Sequence, residues 1–244
     1  MNQNIIVTGA SRGIGKAIVE VFAKNGDNVW ACIRREDEDY LKWIEHLSQE
    51  NDVWIKAVHM ELTDIKSIKD GFKSIMSEKK NIDVLVNCAG IGHMNLFQLT
   101  SLEQIRQIYE VNLFALMALC QLGIRAMSRQ KSGKIINIAS TAGEETYVGN
   151  SIYGSSKAAV IAFSKSLAAE TAPLGIQVNC VAPGLTETEM SAVFEGKDAT
   201  LPMERSALGR KLDPAEIADA IVGLTSKAMR MVNGHVLVVN GGAK

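Results

Sequence analysis

The chain has 244 residues, 47% of them apolar, with 26 basic and 27 acidic side chains and a formal net charge of −1. That composition belongs to a folded globular protein rather than a disordered one, and the length suits one large core better than two. The near balance of charge gives no general attraction to nucleic acid or to an anionic membrane surface.

Met1-Asn2-Gln3-Asn4 runs directly into Ile5-Ile6-Val7. Without a basic stretch followed by an apolar one, no secretory signal is expected, and no apolar run is expected to reach the roughly 18 residues of a membrane helix. Asn4–Val7 is the first predicted strand. A glycine-rich turn and a helix at about Ile14–Lys24 follow, closed by Asn25-Gly26, where glycine can take a left-handed cap. Strand Asn28–Ile33 precedes helix Glu38–Glu50, strand Trp54–His59 precedes helix Ile65–Glu78, and strand Val84–Asn87 precedes a long helix at Leu102–Arg129. Thr100-Ser101-Leu102-Glu103 reads as the capping box of that helix. Strand Lys134–Ala139, helix Ile152–Ala172, strand Gln177–Ala182, helix Pro214–Thr225 and strand His235–Val239 complete the series. In Asp213-Pro214-Ala215-Glu216 an acid sits at the N-cap, proline at the first helical position and a carboxylate at the third.

Several strands are apolar without alternation, as strands covered on both faces are. Strand–helix alternation then predicts an α/β fold with a doubly wound parallel sheet of seven strands, built as one domain over 1–244. Leu185–Leu212 is long for a connection and carries Gly196, Pro202 and Gly209; it reads equally as a substrate loop or as a solvated insertion with its own short helix.

Cys32, Cys88, Cys120 and Cys180 lie among apolar neighbours without a C-x-x-C pair, which points to free thiols in a reducing cytoplasm. The four histidines have no metal-ligand spacing, so no metal site is expected.

Three motifs carry chemistry. After the first strand comes Thr8-Gly9-Ala10-Ser11-Arg12-Gly13-Ile14-Gly15. Gly9 can form the tight turn, Gly13 admits a pyrophosphate to the backbone, and Gly15 lets helix and strand pack closely. The helix N-terminus adds free N–H groups and partial positive charge for that anion. The second motif is Ser140, at the carboxyl edge of its strand, where ligands bind in open parallel sheets. The third is Tyr153 and Lys157, four residues apart on one helix face. A free phenol has a pKa near ~10, and a cation beside it favours the phenolate. A lone Y-x-x-x-K is usually a solvated helix face; its company here makes proton transfer the better reading.

In its order of motifs, nearly end to end, the chain resembles the short-chain dehydrogenase/reductases of single-domain Rossmann type. The resemblance rests on the glycine turn, Asn87-Cys88-Ala89-Gly90, Asn112, Ser140, Tyr153, Lys157, Pro183-Gly184 and Asn240-Gly241-Gly242. It implies reduction of a ketone, with Ser140 and Tyr153 as catalytic hydroxyls, Lys157 binding the nicotinamide ribose, and Asn112 holding a water that relays protons to Lys157. For the cofactor it implies contacts from Gly9, Ser11, Arg12, Gly13, Ile14, Gly15, Glu61, Leu62, Asp64, Asn87, Ala89, Gly90, Tyr153, Lys157, Pro183, Gly184, Thr186 and Thr188. Family members that use NAD carry an acid at the end of the second strand; this chain has Ile33 followed by Arg34 and Arg35. Guanidinium groups suit a 2′-phosphate, so NADP(H) is expected, with Arg12 reaching the same phosphate. The other reading of Arg34-Arg35 is a loop pair balancing Glu36–Asp39.

Within the family the framework Val178–Gly184 and the ending Val236–Gly242 are most similar to bacterial 3-oxoacyl-[acyl-carrier-protein] reductases, so the substrate is a small ketone or alcohol, carrier-bound in that case. An arginine that helps dock the carrier protein commonly precedes the glycine before strand six; here Leu174 stands there, with Arg129 and Lys131 as other basic groups. Glu144 and Glu145, expected near the pocket, favour a sugar or polyol as an alternative. A non-catalytic nucleotide-binding regulator is the alternative of another class. Relatives are usually homotetramers through the helices matching Leu102–Arg129 and Ile152–Ala172.

Overall fold

The computed structural model describes residues 2–194 and 206–243, with side chains left undescribed at 192–194. Residues 195–205 of the predicted substrate loop, including Gly196 and Pro202, lie outside the described residues.

Seven strands form one all-parallel sheet in the order β3-β2-β1-β4-β5-β6-β7. They are β1 (Asn4–Thr8), β2 (Asn28–Ile33), β3 (Ile55–His59), β4 (Val84–Asn87), β5 (Gly133–Ile138), β6 (Ile176–Pro183) and β7 (Val236–Val239). Alternate side chains leave opposite faces of each strand, so each strand feeds two cores. Ile5 and Val7 of β1 pack with Ile18, Val19 and Phe22 of α1 (Gly13–Lys24), with Tyr40, Ile44 and Leu47 of α2 (Glu38–Glu50), and with Ile217 and Ile221 of α7 (Pro214–Thr225). Ile6 faces the other way, toward Ile68 and Phe72 of α3 (Ile65–Ser77). Leu116 and Leu119 of α5 (Ala115–Gln130) and Val160 and Ile161 of α6 (Ser151–Thr171) close that second core. This is the doubly wound, Rossmann-type arrangement.

The helix starts follow local chemistry. Asp37 caps α2 by accepting from the N–H groups of Asp39 and Tyr40, both at 3.0 Å. Asp213 and Glu216 form the predicted box at α7. At α4 (Leu102–Tyr109) the box is Ser101 with Gln104, one residue later than the sequence pattern indicates, because the Thr100 hydroxyl is turned to Leu96 O.

The long helix predicted over Leu102–Arg129 is continuous in direction but not in hydrogen bonding: a π turn at Glu110–Phe114 joins α4 to α5. Contrary to the sequence expectation, the run Leu102–Gln130 has the length and composition of a membrane-crossing helix. Charged residues sit toward its two ends and leave an apolar centre, whose Leu113, Leu116 and Leu119 are buried on the sheet.

Strand order reverses between β1 and β4, so the connections leaving these two neighbours diverge to opposite faces and open a crevice at their carboxyl ends. Thr8 Oγ1 ties the two ends together, accepting from Cys88 N at 3.1 Å and Ala89 N at 3.2 Å.

Candidate active site

One cleft of about 1390 Å³ opens along the carboxyl edge of the sheet. At its floor Gly9 and Gly13 hold φ of +66° and +52°. A side chain would close this turn, since a Cβ on Gly15 would meet Gly9 O at 2.1 Å and one on Gly9 would meet Ala89 Cα at 2.8 Å. The glycines therefore leave a backbone cradle at the start of α1, the shape a dinucleotide pyrophosphate requires. Ser11, Arg12, Ile14 and Lys16 line the same cleft. Across it, Thr188 stands 3.1 Å from where a Gly13 Cβ would be, so the segment after β6 overhangs the turn.

Arg34 and Arg35 stand exposed on the cleft wall past β2. Burial raises the Glu61 carboxyl, but the hydrogen bonds from Thr63 and, less strongly, the charge of Arg34 hold it below its ordinary value. Glu61, Leu62, Ala89, Gly90, Pro183, Gly184, Thr186 and Thr188 all line the cleft. Arg12 is paired with Glu189, so its guanidinium faces a carboxylate.

Two expected contacts lie elsewhere. Asp64 caps α3 through Lys66 N and borders a separate shallow depression by that helix. The Asn87 side chain points into the second core, donating to Asn137 Oδ1 at 2.8 Å and to Cys120 Sγ at 3.4 Å. Its position at the end of a short strand fixes that inward face, and the wall at this level is made by Cys88–Gly90 instead.

Ser140, Tyr153 and Lys157 meet in the middle of the cleft. Ser140 follows β5 and caps the turn Thr141–Gly143 by accepting from Ala142 N. Tyr153 and Lys157 lie on α6, four residues apart, both buried. Burial drives the Tyr153 phenol up to about 12, and the hydrogen bond with Ser140 pulls against it. Burial also lowers Lys157 to about 8, against the Cys88 and Cys180 thiols nearby. Lys157 Nζ donates to Ile138 O at 2.9 Å and lies 5.8 Å from the Tyr153 ring centre. Desolvation thus outweighs the cation's expected lowering of the phenol.

Asn112 supports this centre from behind. It is 1% exposed. Its Oδ1 accepts from Ile91 N at 2.8 Å, and its Nδ2 donates to Ile91 O at 3.0 Å and to Ser156 Oγ at 3.2 Å. A Cβ on Gly90 would meet both Asn112 Oδ1 and Lys157 Nζ, at 3.3 and 3.4 Å. The side chain expected to hold a relay water is engaged with the Gly90–Ile91 wall.

The outer half of the cleft is lined by Ile91, Met94, Leu96, Val148 and Met190. Neither Glu144 nor Glu145 lines it, and Glu145 is hydrogen-bonded to the Tyr147 hydroxyl. Sequence reasoning missed Thr8, Lys16 and this apolar wall. Thr8 alone had a signal, a hydroxyl residue closing an apolar strand. The wall draws on three separate connections, those after β4, β5 and β6.

The short chain dehydrogenase family model matches residues 3–198. A 3-oxoacyl-[acyl-carrier-protein] reductase of Vibrio cholerae is 37% identical over 97% of this chain and 95% of its own. Carbonyl reductase family member 4 of Xenopus tropicalis is 38% identical over 99% of this chain and 98% of its own. A short chain dehydrogenase from Burkholderia cenocepacia, solved in complex with NADP, superposes with a TM-score of 0.89 at 27% identity, covering 98% of this chain and 97% of that one. With its glycine cradle and its serine, tyrosine and lysine gathered in one cleft, this chain belongs to the short-chain dehydrogenase family of oxidoreductases.

Proposed function

We propose that the protein is an NADPH-dependent ketone reductase resembling the 3-oxoacyl-[acyl-carrier-protein] reductases, acting as one domain over 1–244. The observation that carries this reading is the Ser140–Tyr153–Lys157 constellation in the same cleft as the glycine cradle. A bound nicotinamide dinucleotide supplies the hydride. Gly9, Gly13 and Gly15 admit its pyrophosphate, and Arg34 and Arg35, exposed on the cleft wall, suit a 2′-phosphate. Arg12 joins them by exchanging Glu189 for that phosphate. Lys157, beside Gly90, takes the ribose hydroxyls. Ser140 donates to the substrate oxygen as negative charge grows there. Tyr153, held protonated by burial, delivers its proton to that oxygen, a step that contributes ~10²–10⁴-fold.

The apolar outer wall supports an acyl chain over a polyol, because the two glutamates that favoured hydroxyl recognition stand away from it. Leu174 carries no charge where relatives have an arginine, so an acidic carrier protein would be met by other groups, Arg129 and Lys131 among them. The exposed Leu102 and Phe114 on the α4–α5 run support a homotetramer.

Tyr153→Phe should abolish NADPH oxidation by 3-oxo esters while leaving NADPH binding intact; retained turnover would overturn the assignment. Arg34→Ala should weaken NADPH binding about tenfold, the scale of one charge-assisted hydrogen bond, with NADH binding unmoved. Equal losses for both nucleotides would count against NADP(H).

A further inference from the structure

Asn150 lines the cleft three residues before Tyr153, at the N-cap of α6. Positions three apart on a helix share a face. Asparagine is among the best N-cap residues, because its side-chain oxygen normally accepts from a first-turn N–H. Here the side chain makes no capping bond. It is 6% exposed, and its Oδ1 is buried without a hydrogen-bond partner. The backbone is satisfied instead: Asn150 N donates to Tyr147 O at 3.2 Å and Asn150 O accepts from Gly154 N at 2.7 Å.

The amide's position is set by its neighbours. A Cβ on Gly154 would lie 2.7 Å from Ala142 O and 3.5 Å from Asn150 Nδ2. The carboxamide therefore sits where the first turn of α6 meets the Ser140–Gly143 turn, between the elements that carry Tyr153 and Ser140. A buried oxygen left unpaired costs the folded state its lost hydration. The forgone cap adds to that cost. Penalties of this kind persist where a group has another task. Polar neighbours on the same wall are already engaged: Asn95 binds Leu96 N and Leu99 O, and Tyr147 binds Glu145. With Oδ1 turned into the protein, the amide nitrogen is the end left for the cleft.

We propose that Asn150 is a specificity-determining residue that donates a hydrogen bond from Nδ2 to a second oxygen of the substrate, the acyl carbonyl of a 3-oxo ester or thioester. Ser140 and Tyr153 hold the reacting ketone while Asn150 holds the second carbonyl, a contact made equally in the bound substrate and in the transition state, so it selects the substrate without driving the chemical step. The inference rests on the ketone-reductase reading above. A site built to bind such an oxygen discriminates against an analogue that lacks it.

The test compares ethyl 3-oxobutanoate with 2-heptanone, which has the same chain length and no second oxygen. In Asn150→Ala the KM for the oxo ester should rise about five- to tenfold, the scale of one neutral hydrogen bond, with kcat held within about twofold. The KM for 2-heptanone should stay within about twofold, and the melting temperature of the free protein should hold or rise, since an orphaned oxygen is removed. Asn150→Asp keeps the side chain's shape and loses the donor, so it should show the same selective loss and carries the test if the alanine variant does not fold. A KM that moves equally for both ketones, or for neither, overturns the role of Asn150 and leaves the ketone-reductase reading standing. A wild-type protein that reduces neither ketone with NADPH overturns both.

Discussion

The buried phenol of Tyr153 reaches about 12, so it is protonated at neutral pH and is built as an acid. Ketone reduction needs that proton and should be insensitive to Tyr153 between about pH 5.5 and about pH 7.5. Alcohol oxidation needs the phenolate, and its kcat/KM should climb about tenfold per pH unit over the same range. Steady-state rates in both directions check this; a flat oxidation profile would be inconsistent with it. Lys157 has the opposite linkage. Its folded-state pKa of about 8 lies below 10.5, so the folded state resists its proton. The penalty is fully present below about pH 8 and lifts as pH rises toward 10.5. It is of order 3 kcal/mol, partly offset by the bond to Ile138 O. Lys157→Met should therefore raise the apo melting temperature at pH 7, converge with wild type near pH 10, and have no turnover. Melting curves at the two pH values read this directly.

At the scale of elements, two local features shape the cleft. Gly15 has no room for a methyl group, because its Cβ would fall 2.1 Å from Gly9 O. Gly15→Ala should separate α1 from β1 and abolish nucleotide binding, as measured by tryptophan fluorescence titration. The π turn at Glu110–Phe114 is the second. Its Asn112 holds both backbone groups of Ile91, and Asn112→Ala leaves them unpaired. That change should destabilise the protein by about 1–3 kcal/mol, as two part-buried groups lose hydrogen bonds of ~0.5–1.5 each. It should also lower kcat by loosening the Gly90–Ile91 wall beside Lys157. Urea unfolding together with kcat separates this from a purely catalytic loss.

Across the whole molecule, one sheet carries two cores, and the carboxyl edge between them is where the connections part. The α4–α5 run buries one side on the sheet and leaves Leu102 71% and Phe114 51% exposed on the other. Phe114→Glu should shift sedimentation toward smaller species if this face joins subunits. An unchanged sedimentation coefficient would place the contact elsewhere.

Order, type and near-boundaries of all seven strands were legible in the sequence, because glycine turns, cap residues and unbroken apolar runs are local signals. The glycine cradle, Ser140, Tyr153 and Lys157 were legible for the same reason: a turn, a strand end and a helix face each have a fixed spacing. Folding alone decided which polar groups are already taken. Asn112 is bound to Ile91 and Arg12 to Glu189, whereas Asn150 keeps an unpaired oxygen. Partners of that sort come from distant parts of the chain, and so does the burial that makes the phenol an acid and holds the lysine near 8. Residue spacing records local geometry; desolvation and hydrogen-bond occupancy depend on what the rest of the chain brings alongside.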